Sequence, residues 1–507
     1  MDHPRFCSLQ TWAAGLAHVI LALRMLLLAF LTASAAEPAW VQVYHLPATA
    51  GPPAEECSTK AKVRAPRSKA EDESAPSTAT SASTETPAPP VPTVNLDTDK
   101  KAVNPEIVGP DRTRLQLDGP YDVSAVPLEP LRGKDADIDR VRDVFMRAAA
   151  HHGATRVSFW GASHVAGEFW TGTVRRLLQD RFGDAGHGFV MPGPPWVGYR
   201  ASDTNLCAGG TWLSDFVERK DGRDDGRYGP AGLDVSPTID AFGWVQTAKS
   251  NPQGRSVSRF EVAFLREPGA GTLSLTVDDA SPVIVPAAGD TGPGMAVLET
   301  TDGPHRLRVS AEGNVRLYGV WMERDTSGVI VDAMGVTGRT ASSWQKWDPT
   351  LMAPFLDRKR PDLVVLAYGT NEANDRKLTP ESYTASLRTS LSRMRALMPD
   401  AACVLVGPSD RGKKVKGSVY AIWPATEWVA RVQREVGPEF GCATWDLQTA
   451  MGGPGSMLRW YFGAEPRLAA GDLIHLSGEG YKEVGARFVA ALLGDAEPTR
   501  AGTGPAR

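Results

Sequence analysis

Four side chains from three distant stretches of the sequence have types and settings suited to work on one carbonyl. Ser163 follows the apolar run Val157-Ser158-Phe159-Trp160 and the break at Gly161-Ala162, and an apolar repeat of helical spacing runs from Glu168 to Phe182. That pattern sets Ser163 at a strand-to-helix corner. There a hydroxyl can stand off the carboxyl end of a sheet, and the N–H groups that open the helix favour a developing anion. The plain alternative for Ser163 is a helix N-cap. Asp472 stands three residues before His475, so its carboxylate can hold the imidazole Nδ1–H within one turn and leave Nε2 to take a hydroxyl proton. Asn371 follows the buried run Pro361 to Tyr368 and occupies a corresponding corner, where its amide could donate to an oxyanion. The chemistry these residues suit is acyl transfer through a serine-bound intermediate. It is not the Gly-x-Ser-x-Gly elbow, because Val165 stands where the second Gly would be.

The elements that must position these groups alternate. Strands are predicted over the run from Arg156 to Trp160 and at 328–334, 361–368, 402–407 and 440–446. Helices are predicted near 136–152, 342–357, 380–398, 424–436 and 478–493. Such alternation gives a parallel sheet with its reactive groups at the carboxyl edge. Between about 206 and 323 the pattern changes to short alternating runs (257–265, 272–277, 283–285, 305–309, 315–322) parted by turn signals such as Glu267-Pro268-Gly269 and Thr301-Asp302-Gly303-Pro304. That spacing is what an antiparallel sandwich gives.

Gly161-Ala162-Ser163-His164, Gly335-Val336-Thr337-Gly338, Gly369-Thr370-Asn371-Glu372 and Asp472 to His475 stand in the order of the four blocks of the SGNH (GDSL-like) hydrolases, and the chain resembles that family over roughly 150–190 and 328–495. The resemblance implies an α/β fold: a flavodoxin-like parallel-sheet hydrolase domain interrupted by an antiparallel β-sandwich insertion. It implies Ser163 as nucleophile, His475 as base and Asp472 as its orienter. Oxyanion donors would be the backbone N–H of Ser163, that of Gly338 and the side chain of Asn371. One position departs: the family usually has Asp before the Ser, and this chain has Ala162. That Asp stiffens the nucleophile loop in the family, so its loss bears on how well Ser163 is held. The run Ser163 to Trp170 and the β insertion are similar to exported carbohydrate esterases, including peptidoglycan O-acetylesterases.

The expected organisation is a signal peptide over 1–36, a disordered Pro/Ser/Thr/Ala-rich linker over 37–104, and hydrolase parts over 105–200 and 326–495. The latter two flank a carbohydrate-binding-like insert over 201–325, and a disordered tail follows over 496–507. The apolar stretch from Trp12 to Ala36 is long enough to span a bilayer. Arg24 within it would cost roughly 2.5–3.5 kcal/mol on insertion, which favours an exported, cleaved chain over an anchored one. Membrane association is expected only through that segment if it is uncleaved. The 507 residues carry a net charge of −4 without a long basic stripe, so nucleic acid is not an expected partner. The expected partner is an acylated polysaccharide or a small ester.

No cofactor and no metal site is expected. The wide spacing of Cys57, Cys207, Cys403 and Cys442 matches no zinc pattern, and His151-His152 read as a solvated turn. Cys403 and Cys442 fall in predicted core strands and read as buried thiols, while Cys57 and Cys207 leave room for one bridge. His164 reads as structural, and Glu372 as a local hydrogen-bonding group and not half of a glycosidase pair. Trp170, Trp196, Trp344 and Trp347 flank the blocks and read chiefly as core. The expected activity is removal of O-acetyl groups from a cell-wall or other polysaccharide. Acyl transfer to a sugar hydroxyl, or glycan binding by a chain whose site has decayed, are the competing expectations.

Overall fold

In the computed structural model, described over residues 37–53, 57, 59–66, 106–108, 114–115, 120–223 and 225–498, five parallel strands form the central sheet. They are β1 (Ala154–Gly161), β2 (Gly328–Gly335), β3 (Leu363–Ala367), β4 (Ala402–Val406) and β5 (Ala443–Trp445), in spatial order β2-β1-β3-β4-β5. This is the doubly wound order, whose ligands bind at the carboxyl edge where the strand order reverses. The strands are largely apolar because both faces are covered, and the polar groups they bury are paired, Arg156 and Ser158 of β1 with Asp332 of β2. Phe159 faces one layer, meeting Trp170 of helix α1 (Phe169–Phe182) and Phe488 of helix α2 (Gly478–Leu493), with ring centroids 5.4 and 6.0 Å apart. The next residue, Trp160, faces the other layer, packs on Trp344 at 5.3 Å and donates its indole N–H to Pro230 O at 2.8 Å. One step along a strand reverses the face, so one dipeptide fastens both layers.

The chain leaves this sheet after α1 and returns at β2. In between lie two further sheets, built mainly from antiparallel pairs. One contains Thr211–Phe216, Leu233–Pro237, Val257–Arg266, Gly292–Gly303 and Leu317–Glu323; the other contains Thr204–Gly209, Phe242–Thr247, Thr272–Val277, Val283–Pro286 and Arg306–Glu312. Leu273, Leu275 and Val277 alternate into the interior opposite Leu307, Val309 and Ala311.

Two expected boundaries move. Gly188–Val190 already pairs with Val320–Met322, so the inserted sheets begin before residue 201. The described part of the expected disordered linker is not free chain. Lys62–Arg64 runs parallel to Thr211–Leu213, Leu46 N–H donates to Glu299 O at 2.9 Å, and Cys57 is bonded to Cys207. Apolar content did not predict this, because backbone hydrogen bonds and a disulfide hold the segment. The expected signal peptide, the remainder of the linker over 67–104 and most of the expected tail lie outside the described residues. Among the described residues no helix is long and apolar enough to cross a membrane.

The expectation of buried thiols at 403 and 442 is also corrected: Cys403 and Cys442 form a disulfide, with Cα atoms 4.5 Å apart. The pairing of Val404 with Ala443 puts the preceding residue of each strand side by side. That neighbourhood is a property of the sheet order and cannot be read from either strand alone.

Candidate active site

Register fixes the rim of the sheet. Gly161 stands beside Gly335 on one side and Ala367 on the other, so β1, β2 and β3 end level with one another. Ser163, Gly338 and Asn371 lie two, three and four residues beyond those ends. Glycine is required at two of the ends. A Cβ on Gly161 would lie 2.6 Å from Ala367 O, and one on Gly335 would lie 2.4 Å from Ala166 N, inside the short helix Ser163–Ala166.

At this rim Ser163 Oγ lies 2.7 Å from His475 Nε2, and His475 Nδ1 lies 2.6 Å from Asp472 Oδ2. The other carboxylate oxygen, Oδ1, accepts the N–H of Ile474 and of His475, each at 2.9 Å. Leu473, between them, takes φ +60°, the left-handed turn that lets one short segment present both its backbone and its imidazole to Asp472. Burial alone would raise the Asp472 carboxyl. The hydrogen bond and charge of His475 and the two backbone donors outweigh it and hold the carboxyl well below the usual carboxylate range. The carboxylate is therefore ionised wherever it can orient the ring.

The N–H groups of Ser163 and Gly338 have no hydrogen-bond partner among the described residues. Gly338 turns at φ +74° with open space beside its Cα. Asn371 donates one amide N–H to Arg339 O at 2.8 Å, which orients the group and leaves the second N–H. Glu372 bridges the two turns, accepting from Ala341 N–H at 2.8 Å and Gly369 N–H at 2.9 Å. Its carboxyl is pushed up to about 7 by burial, against those backbone donors. The insert braces the same turn: Arg339 donates to Val217 O at 2.7 Å, and Ser343 donates to Glu218 at 3.1 Å.

Ala162, where the resemblance leads one to expect Asp, bears on how the Ser163 turn is held. In the fold, Ala162 O accepts from Val165 and Ala166 N–H, at 3.1 and 2.9 Å, and two buried neighbours fasten the turn. His164 Nδ1 is 2.9 Å from Tyr481 Oη and its Nε2 is 3.3 Å from Ser409 Oγ. Burial, reinforced by the nearby His475, pushes the His164 pKa down to about 3, so the ring is a neutral strut. Glu168 accepts Ser202 N–H at 2.6 Å and pairs with buried Arg175 at 3.4 Å. Tyr481 and Ser409 had no signal in the sequence, since their contacts with His164 span 317 and 245 residues. Trp170, Trp344 and Trp347 are core residues, as read, while Trp196 is half-buried. Among the described residues no group of three or more His, Cys, Asp or Glu could hold a metal ion.

Residues 300–483 match the model of the GDSL-like lipase/acylhydrolase family, a span that includes the turns of Gly338, Asn371 and Asp472–His475. The chain carries a GDSL-like acylhydrolase domain. The domain is of the SGNH esterase type, and its nucleophile-like corner at Ser163 lies upstream of the matched span, on the far side of the insert. Among solved structures, a peptidoglycan O-acetylesterase is 24% identical at a TM-score of 0.60, covering 71% of this chain and 97% of that one. That likeness is one of fold. A family two carbohydrate esterase from Clostridium thermocellum, solved with cellohexaose, is 12% identical at a TM-score of 0.23, covering 51% of this chain and 93% of that one. No curated protein matches the chain.

Proposed function

We propose that the chain is an exported serine esterase that removes O-acetyl groups from cell-wall polysaccharide. The observation that carries this reading is the unbroken hydrogen-bond series from Ser163 through His475 to Asp472 at the rim of the sheet. Ser163 Oγ attacks the ester carbonyl while its proton passes to His475 Nε2, and ionised Asp472 stabilises the imidazolium. The carbonyl oxygen, now an oxyanion, accepts from the N–H groups of Ser163 and Gly338 and the remaining amide N–H of Asn371. The imidazolium then returns its proton to the departing sugar oxygen, leaving acetyl-Ser163, and water repeats the cycle to release acetate.

Two disulfides support export, because such bonds persist in oxidising compartments. The fold shared with a peptidoglycan O-acetylesterase supports an acetylated glycan as substrate. Acetate release from acetylated peptidoglycan and from a small acetyl ester tests the reading. Ser163→Ala and His475→Ala are each expected to lower kcat on the order of a thousandfold or more. Full activity in either variant would remove the mechanism.

A further inference from the structure

The loop and hairpin after β4 take no part in the chemistry above, yet they are built into its rim. Ser409 Oγ donates to Ile474 O at 3.3 Å and Gly412 N–H donates to Leu473 O at 2.9 Å, so this segment is fastened to the turn that carries Asp472 and His475. The hairpin Gly412–Lys416/Val419–Ile422 then returns to Trp423. Trp423 N–H donates to Arg411 O at 2.9 Å, and its indole N–H donates to Ala373 O at 2.7 Å, two residues past Asn371. Arg411 and Trp423 therefore close the rim between the Asn371 turn and the Asp472–His475 turn.

The charge here is unusual for this chain. Four of the six residues Arg411–Lys416 are cationic in a protein of net charge −4. The Arg411 guanidinium lies 4.8 Å from the Trp423 ring centroid and Lys413 Nζ lies 5.6 Å from it. Stacking on Trp423 accounts for the posture of Arg411. It does not account for Arg411 Nε, which is buried with no hydrogen-bond partner, a condition native structures rarely leave unexplained. Nor does it account for Lys414 and Lys416, which are exposed and, like Lys413, make no ion pair among the described residues.

Resting on the esterase reading, we propose that Arg411 and Lys413, with Trp423 holding the guanidinium plane, form a subsite for a carboxylate of the peptide that the acetylated glycan carries. A planar guanidinium beside an ammonium suits a carboxylate, which can accept two parallel N–H bonds. A neutral glycan would leave these donors unused.

The test measures binding, so that it does not depend on turnover. The full chain carrying Ser163→Ala is titrated by calorimetry with an O-acetylated disaccharide–peptide fragment of peptidoglycan, and with the same fragment after its carboxylates are amidated. The fragment with free carboxylates is expected to bind about tenfold more tightly or better, and that preference should shrink as salt is raised. Arg411→Gln and, separately, exposed Lys413→Gln should each erode the preference, while Arg411→Lys should restore part of it. Equal binding of the two fragments, no binding of either, or a preference that survives Arg411→Gln with the fold intact by circular dichroism would overturn the proposal. Failure of the esterase reading would show separately, as absence of acetate release by the unsubstituted chain from any acetyl ester.

Discussion

Asp472 does two things with one carboxylate: Oδ2 orients His475 and Oδ1 caps the turn that carries it. Asp472→Asn is expected to keep the fold, because an amide oxygen can still accept from the backbone. It should reverse the donor facing Nδ1, favour the wrong imidazole tautomer and cut kcat by about 10⁴ with little change in KM. A loss under tenfold in steady-state assays would mean that the ring is oriented by other groups. Glu372 makes a different prediction. Its carboxyl is raised in the folded protein from an ordinary 4.5 to about 7, so the fold binds that proton more tightly than the unfolded chain does. Its contribution to stability is thus greatest below the ordinary carboxylate range, declines as pH rises from about 4.5 to about 7, and is flat above. Urea unfolding at several pH values across that window should show the decline, and Glu372→Gln should flatten it. At this scale Ser163, Asp472, His475 and Asn371 were legible because each sits in a short local pattern. The structural role of His164 was legible too, but its partners Tyr481 and Ser409, and the place of Arg411, were not, because only the sheet brings them together.

The strands end level because glycine lets helix Ser163–Ala166 press against β2. Gly335→Ala would put a methyl 2.4 Å from a backbone nitrogen that cannot swing away. The expected cost is about 1–3 kcal/mol of stability or more, together with a displaced Ser163. Chemical denaturation and acetate release should fall together, and a fully stable, fully active variant would contradict the packing described. Continuous apolar runs made β1 to β4 legible, since a strand covered on both faces has little polar content. Inserted strands such as Gly292–Gly303, with glycine at both ends, and Thr204–Gly209, with few β-branched apolar residues, gave weaker patterns. The basic hairpin passed unnoticed for a related reason. Its strand Gly412–Lys416 is mostly exposed and polar, and only its neighbours reveal what it borders.

Ion pairs join the insert to the parallel sheet across the molecule. Glu323 of the insert meets Arg156 of β1 and Lys359, the latter at 2.8 Å, and Glu261 meets Lys359 at 2.8 Å. Buried groups of this kind add little net stability while paired, but removing one partner strands the others. Glu323→Ala is therefore expected to cost about 3–5 kcal/mol, measured by thermal or urea unfolding. The Cys57–Cys207 bond belongs to the same scale, tying the chain ahead of the hydrolase domain to the insert. Cys57→Ser should expose residues 59–66 to limited proteolysis while leaving acetate release within about twofold, since the bond adds loop constraint and no site residue. The insert's existence was legible from its change of pattern, whereas its grip on the sheet through Arg156, Lys359 and Arg339 was not. The intact mass of the protein after reaction with a serine-directed phosphonate ester reports directly on whether Ser163 is the nucleophile. A single adduct is expected, located by peptide mapping at Ser163 and abolished by Ser163→Ala. An adduct at another residue, or none while ester hydrolysis proceeds, would contradict that role.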